Sequence, residues 1–303
     1  MSVKVAVTGS HGLIGRHLLP ALAARGHEAL RVVRGPAGAE DGPSISWDPA
    51  AGRLDPADLS GVDAVINLAG VGIGERRWNA AHKEAVLSSR LDGTGLLVRT
   101  FLAADRPPRV LVNASAIGYY GDRGDEILDE SSPPGQGWLA GLCRRWEAAT
   151  TPAEAAGIRT VVVRTGIVQA ADGGALKAQL PAFKYGLGAR LGHGRQWVSW
   201  ISIEDQVGAL LHLLDHEEVR GPVNLVAPNP VINAEYATTL ARTLGRPAVL
   251  AAPAPALKVL LGTEMATEML LSGQRVRPGV LEATGYSWAH PDLSGALRAV
   301  LGH

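Results

Sequence analysis

The chain has 303 residues, its 29 Lys plus Arg balance 29 Asp plus Glu, and 46% of it is hydrophobic against 19% charged. That composition excludes a disordered chain, and zero net charge argues against an electrostatic grip on nucleic acid or an anionic membrane. The single cysteine, Cys143, excludes an internal disulfide framework, and no apolar run reaches the ~18 residues that span a bilayer.

The opening MSVKVAVTGS carries no signal-peptide pattern, so the expectation is a cytoplasmic protein. Residues 3–7 read as a buried strand ending at Thr8-Gly9. A helical pattern follows in Leu13, Ile14, Leu18, Leu19, Leu22 and Ala23. Gly26 is its stop signal, and Pro20 is a conflict inside it worth ~3 kcal/mol. Strands are expected at 29–33, 45–47, 63–69, 109–114 and 160–163, with helices at 76–102 and 139–156 between them. Such alternation implies right-handed crossovers and a doubly wound parallel sheet. Beyond Arg164 the character changes. Residues 186–202 are rich in Gly, Trp and Arg; 204–217 is helical, 221–226 strand-like, 228–230 a turn and 233–244 an amphipathic helix. Residues 247–255 read as a proline-rich linker and 259–301 as a mainly helical tail.

The most informative stretch is Thr8-Gly9-Ser10-His11-Gly12-Leu13-Ile14-Gly15, which follows a strand and opens a helix. Gly9 permits a tight turn, Gly12 lets backbone N–H groups approach a pyrophosphate, and Gly15 lets helix pack on strand. The helix start adds partial positive charge and free donors. Ser10, His11, Leu13 and Ile14 belong to the same loop, with His11 open between a cofactor contact and a surface position. An NAD site would place an acidic residue at the end of the second strand. The chain has Arg31-Val-Val-Arg34 instead, and Arg34 suits a 2′-phosphate. NADP(H) is therefore favoured over NAD(H), with a merely solvated Arg34 as the alternative.

Further marks are Asn67-Leu-Ala-Gly70, Arg76-Arg-Trp78, Ser89-Arg90, Ser115-Ala-Ile-Gly-Tyr-Tyr-Gly121, Trp146-Glu147, Val163-Arg-Thr-Gly-Ile-Val168, Gly194-Arg-Gln-Trp-Val-Ser-Trp-Ile201 and Glu268-Met-Leu-Leu-Ser-Gly-Gln-Arg275. With the glycine loop, they resemble the extended short-chain dehydrogenase/reductases, and more narrowly an atypical "NAD-dependent epimerase family" subgroup with a small C-terminal domain of unknown function. The resemblance implies a Rossmann-like sheet with a small, mainly helical C-terminal lobe. It implies a dinucleotide-binding core at 1–170, a mixed substrate-side segment with a returning core strand at 171–250, and the lobe at 251–303. It places Leu68, Ala69 and Gly70 beside the adenosine ribose, Arg90 near the cofactor, and Thr165, Gly166 and Ile167 at the nicotinamide end. Ser115 matches the catalytic serine that bonds a substrate carbonyl.

The family's Tyr-x-x-x-Lys is missing. Aligned on Glu147, its slots hold Leu139 and Cys143. Arg144 or Arg145 can supply charge, but arginine and tryptophan cannot replace the tyrosine's proton transfer. Tyr119 and Tyr120 are the candidate acids; the alternative is that one fills an apolar wall while the other bonds backbone. Cys143 is either a thiol nucleophile or a small buried hydrophobe. Arg195, Gln196, Trp197, Ser199 and Trp200 suit the wall of a substrate cleft, with a core role equally open for Trp200. The histidines show no metal-ligand spacing, so no metal is expected. The functional expectation is hydride transfer on a small molecule. The rivals are a non-catalytic NADP(H) sensor or scaffold and, third, a nucleotide-sugar epimerase. A homo-oligomer is left open, and no nucleic-acid or membrane partner is expected.

Overall fold

Val5, Ala6, Val7, Val65 and Ile66 have no exposed surface, and strands apolar on both sides need helices on both faces of their sheet. The computed structural model describes residues 2–35, 42–248 and 250–302. Its sheet is built from β1 (Lys4–Thr8), β2 (Glu28–Arg34), β3 (Ser44–Trp47), β4 (Ala64–Asn67), β5 (Val110–Ala116), β6 (Arg159–Thr165) and β7 (Gly221–Leu225). The order is β7-β6-β5-β4-β1-β2-β3. β1 pairs in parallel with β2 and β4, β2 with β3, and β4 with β5. This is the doubly wound, Rossmann-like sheet that the alternating pattern predicts. The strand order reverses between β1 and β4, and ligands bind open α/β sheets outside the carboxyl ends of the strands at such a point.

The chain forms two compact units, neither continuous in sequence: residues 1–115, 142–163 and 210–222 make the first, and 116–141, 164–209 and 223–303 the second. In the first, α1 (Leu13–Ala24) buries Leu18 and Leu22 and runs unbroken through Pro20, which lies on its exposed side. The ladder bond lost to the missing N–H is thus lost on the solvent face. α2 (Ala80–Ala103) starts at Asn79, whose Oδ1 accepts the His82 N–H at 2.8 Å. Leu30, Val65, Leu97, Phe101 and Leu111 fill this unit's core.

The expected helix over 139–156 is two helices, α3 (Trp138–Ala148) and a short Thr151–Ala155. Pro152 lacks an N–H and its ring clashes with the carbonyl four residues back, so the periodic pattern continues while the hydrogen-bond ladder cannot.

In the second unit Leu176, Phe183, Trp200, Tyr236, Leu240 and Leu297 form the core. The expected linker over 247–255 contributes a strand, Leu250–Ala252, paired in parallel with Ala189–Leu191; Val249 lies outside the described residues. The tail is helical as expected at Ala254–Leu261, Gly279–Ala283 and Leu293–Leu301, with one π-helical turn at Thr267–Leu271. It is tied down by Asp205, a fully buried carboxylate that accepts from Ser202 Oγ at 2.7 Å and from the N–H groups of Ala289 and His290 at 2.7 and 3.0 Å.

Candidate functional site

A buried polar network sets the carboxyl edge of the first unit's sheet. Thr8 Oγ1 donates to Asn67 Oδ1 at 2.6 Å and accepts the N–H groups of Leu68 and Ala69 at 3.0 and 3.1 Å. Asn67 Nδ2 donates to Asn113 Oδ1 at 2.7 Å and Thr94 Oγ1 at 3.0 Å. Trp146 Nε1 donates to the same Thr94 oxygen at 3.0 Å. Hydrogen bonds satisfied in this way away from water hold one geometry, so the ends of β1, β4 and β5 are locked together with α2 and α3.

Over that edge lies a cleft of about 500 Å3, walled by 9–12, 32–34, 47–50 and 68–71 with Ser88, Ser89 and Asp92 of α2. Gly9 has φ +65°, and a Cβ there would stand 2.7 Å from the Leu68 carbonyl oxygen. A Cβ on Gly15 would collide with the Gly9 carbonyl, which is the close helix–strand packing that the third glycine predicts. Gly12 is the N-cap of α1, and no side chain caps that helix. Ser10 Oγ is buried with no partner among the described residues. A buried orphan hydroxyl beside uncapped helical N–H donors fits a diphosphate.

The other cofactor candidates divide. Leu68, Ala69, Gly70 and Arg34 line the cleft, as do Gly9, Ser10, His11 and Gly12; Leu13, Ile14 and Gly15 form the first turn of α1 beneath it. His11 is exposed, with Nε2 3.3 Å from Nη1 of Arg31. Arg31, which the sequence reading passed over for Arg34, is the buried arginine of β2. Arg90 lies under the cleft wall. Its Nη1 donates to the carbonyls of Val71 and Val86 at 2.9 and 3.0 Å, and its guanidinium stacks 4.9 Å from the Trp146 ring centre. Burial lowers its pKa from the usual arginine value, with the nearby Cys143 thiol acting in the opposite sense. Sequence reasoning missed the wall at 47–50. Its signal is the register that sets Trp47 beside Arg34, so residues just after β3 share the edge of β2.

Ser115 is the penultimate residue of β5 and is buried; its Oγ donates to Glu147 Oε1 of α3 at 2.6 Å. Cys143, about one helical turn nearer the start of α3 than Glu147, is buried and in no disulfide.

The remaining candidates belong to the second unit. Tyr120 is fully buried, donates to Asn224 Oδ1 at 2.7 Å and accepts from Arg164 at 3.0 Å. Burial pushes its hydroxyl up to about 12, partly offset by Arg164. Tyr119 is half-buried, with the Arg164 guanidinium 3.5 Å over its ring. Thr165 Oγ1 accepts from Gln206 at 3.4 Å. Gly166 donates to the Leu225 carbonyl and Ile167 to that of Ser199 at 3.0 and 2.9 Å. Arg195 is exposed. Gln196 is buried, with Nε2 on the Leu191 and Leu270 carbonyls. Trp197 donates to Asp125 at 2.7 Å beneath the guanidinium of Arg275. Ser199 donates to the Gln274 carbonyl and accepts from Val276 N–H, and fully buried Trp200 donates to the Asn229 carbonyl. Among the described residues no three His, Cys, Asp or Glu group as metal ligands, and no helix is long and apolar enough to cross a membrane.

The model of the NAD dependent epimerase/dehydratase family matches residues 5–226, and that of a domain of unknown function, DUF1731, matches 252–300. The chain is 46% identical over 294 residues to an epimerase family protein of Mycobacterium bovis, covering 97% of this chain and 96% of that one. Human epimerase family protein SDR39U1, solved with NADPH, superposes with a TM-score of 0.89 at 37% identity over 99% of this chain and all of that one. A nucleoside-diphosphate sugar epimerase from Corynebacterium glutamicum gives 0.81 at 35% identity, over all of this chain and 59% of that one.

Proposed function

The chain belongs to the NAD dependent epimerase/dehydratase family, and from that premise we propose that it is an NADP(H)-dependent oxidoreductase acting on a small molecule. The observation that carries the reading is the cradle at the start of α1: a buried Ser10 hydroxyl with no partner among the described residues, a helix start that no side chain caps, and a Gly9 at which an added Cβ would strike Leu68. The N–H groups of the first turn would hold the diphosphate, and Arg34 the 2′-phosphate that separates NADP from NAD. The NADPH found with the human relative supports that preference. A bound nicotinamide supplies hydride chemistry at its ring. This chain contributes orientation through the Thr8–Asn67–Asn113 network and a polar group, Ser115, at the same edge of the sheet.

Fluorescence titration with NADPH and NADH, followed by turnover with a panel of carbonyl compounds and alcohols, tests the proposal. The expected result is NADPH binding on the order of micromolar, weaker NADH binding, and turnover with one member of the panel. Failure to bind either nucleotide sinks it. A second reading, a non-catalytic NADP(H) sensor or scaffold, is favoured by Leu139 and Cys143 in the slots of the family's acid–base pair; binding without turnover would select it. Epimerisation of a nucleotide sugar, suggested by the Corynebacterium relative's name, would show as product without net change of cofactor.

A further inference from the structure

A hydride-transfer site must also move a proton, and the usual group for it is missing from α3. Leu139 has no titratable group and Cys143 is buried. Of the two candidate tyrosines, Tyr120 spends its hydroxyl on Asn224 with no exposed surface, and Tyr119 has its ring under the Arg164 guanidinium at 3.5 Å. Ser115 remains, and its one proton is already committed: Oγ donates to Glu147 Oε1 at 2.6 Å. A serine hydroxyl has one hydrogen and two acceptor positions. With the hydrogen on a carboxylate, the oxygen offers a ligand only lone pairs.

We propose that Ser115 and Glu147 are the proton-transfer pair of this site, and that it takes its substrate as an alcohol whose hydroxyl donates to Ser115 Oγ. The inference rests on the hydride-transfer reading above. In the oxidative direction the substrate C–H bond breaks with both its electrons leaving as hydride to the oxidised nicotinamide dinucleotide. The substrate O–H bond breaks at the same carbon's oxygen, and C=O forms. That proton passes to Ser115 Oγ as the proton of Ser115 passes to Glu147 Oε1; Glu147, half-buried, releases it to water. Glu147 touches no substrate atom: it orients the serine and takes its proton.

The surroundings hold this pair firmly. The Glu147 carbonyl accepts Thr150 Oγ1 at 2.8 Å. Its neighbour Trp146 is fixed from both sides, by the bond to Thr94 and by the stacked Arg90. Arg90 in turn holds the Val71 carbonyl of the cleft wall. The carboxylate is therefore presented to Ser115 by a rigid turn that is itself built against the cleft.

Glu147→Gln separates a proton role from a structural one, because a carboxamide oxygen still accepts the serine hydrogen bond but cannot take the proton. The experiment follows reduction of NADP+ with a panel of secondary alcohols, and oxidation of NADPH with the matching ketones. It compares the wild type with Glu147→Gln, Glu147→Asp and Ser115→Ala, with NADPH titrations and melting curves on each. The expected result is unchanged NADPH affinity and melting for Glu147→Gln, with kcat reduced at least ~100-fold, KM little moved, and one limb of the pH profile gone. Glu147→Asp recovers part of the rate. Without turnover, the carboxylate infrared band of 13C-glutamate-labelled protein shifts in Ser115→Ala, reading the hydrogen bond directly. Wild-type rates and pH profile in Glu147→Gln, or no infrared shift, overturn the pair while leaving hydride transfer standing. NADPH binding with no turnover by the wild type overturns both readings together.

Discussion

Two glycines with the same backbone sign make a controlled test of the cleft. Gly9 and Gly26 have φ of +65° and +76°. At Gly26 an added Cβ meets nothing within 4 Å, whereas at Gly9 it meets the Leu68 oxygen at 2.7 Å and the Ala69 nitrogen at 3.0 Å. Gly26→Ala therefore costs only the left-handed conformation, ~1–2 kcal/mol. Gly9→Ala carries the same strain and must also push the Leu68 carbonyl back by about 0.7 Å to reach the 3.4 Å of ordinary contact. The Leu68 and Ala69 N–H groups are held by Thr8 Oγ1, so the shift strains two hydrogen bonds worth ~0.5–1.5 kcal/mol each. The expected totals are ~1–2 kcal/mol for Gly26→Ala and ~2–5 kcal/mol for Gly9→Ala. Because Leu68 and Ala69 wall the cleft, NADPH affinity should fall at least ~10-fold in Gly9→Ala, about 1.4 kcal/mol, and stay within twofold in Gly26→Ala. Urea denaturation and NADPH fluorescence read the two effects separately. Equal stability costs, or a folded Gly9→Ala with wild-type NADPH affinity, would refute the reasoning.

Arg34→Ala should weaken NADPH by ~1–3 kcal/mol, the worth of a charge-assisted hydrogen bond, and leave NADH unchanged in parallel titrations; equal losses would exclude a role in recognising the 2′-phosphate. Tyr120 carries a pH signature. Its folded pKa of about 12 lies above the ordinary 10.0, so above pH ~10 the unfolded chain loses a proton that the folded chain keeps. Its stabilising contribution is full below pH ~10 and fades as pH rises to ~12, by up to ~3 kcal/mol; Tyr120→Phe should lack this alkaline limb in melts across that range. Glu268 accepts the N–H groups of Trp138 and Leu139 at 2.9 and 2.8 Å, capping the start of α3 from 129 residues away in the chain. Glu268→Ala should cost ~0.5–2 kcal/mol and speed amide exchange at those two residues. Glu268→Gln, which keeps an acceptor but loses the charge, should fall between.

What could be read along the chain was what neighbours in sequence decide. The glycine loop was legible because its three glycines, its strand and its helix lie within one short stretch, and each glycine answers a steric demand made by a neighbour, as Gly15 does against the Gly9 carbonyl. At Pro152 the apolar period runs on without a break, because the period reports which face is buried and not whether the backbone ladder closes. The strand at Leu250–Ala252 exists only through its partner at Ala189–Leu191, so its prolines read as a linker. The wall at 47–50 depends on the register between β2 and β3, which no local pattern specifies. Side-chain pairings lie further out of reach: Ser115 meets Glu147 across 32 residues and Glu268 meets Trp138 across 130. The missing Tyr-x-x-x-Lys sits in the same position. A loss is visible in sequence because it leaves named slots filled by the wrong chemistry, here Leu139 and Cys143. Which side chain lies beside Ser115 is decided by which helix the sheet carries against the end of β5, and only in the folded chain does α3 bring a carboxylate to within one hydrogen bond of the serine.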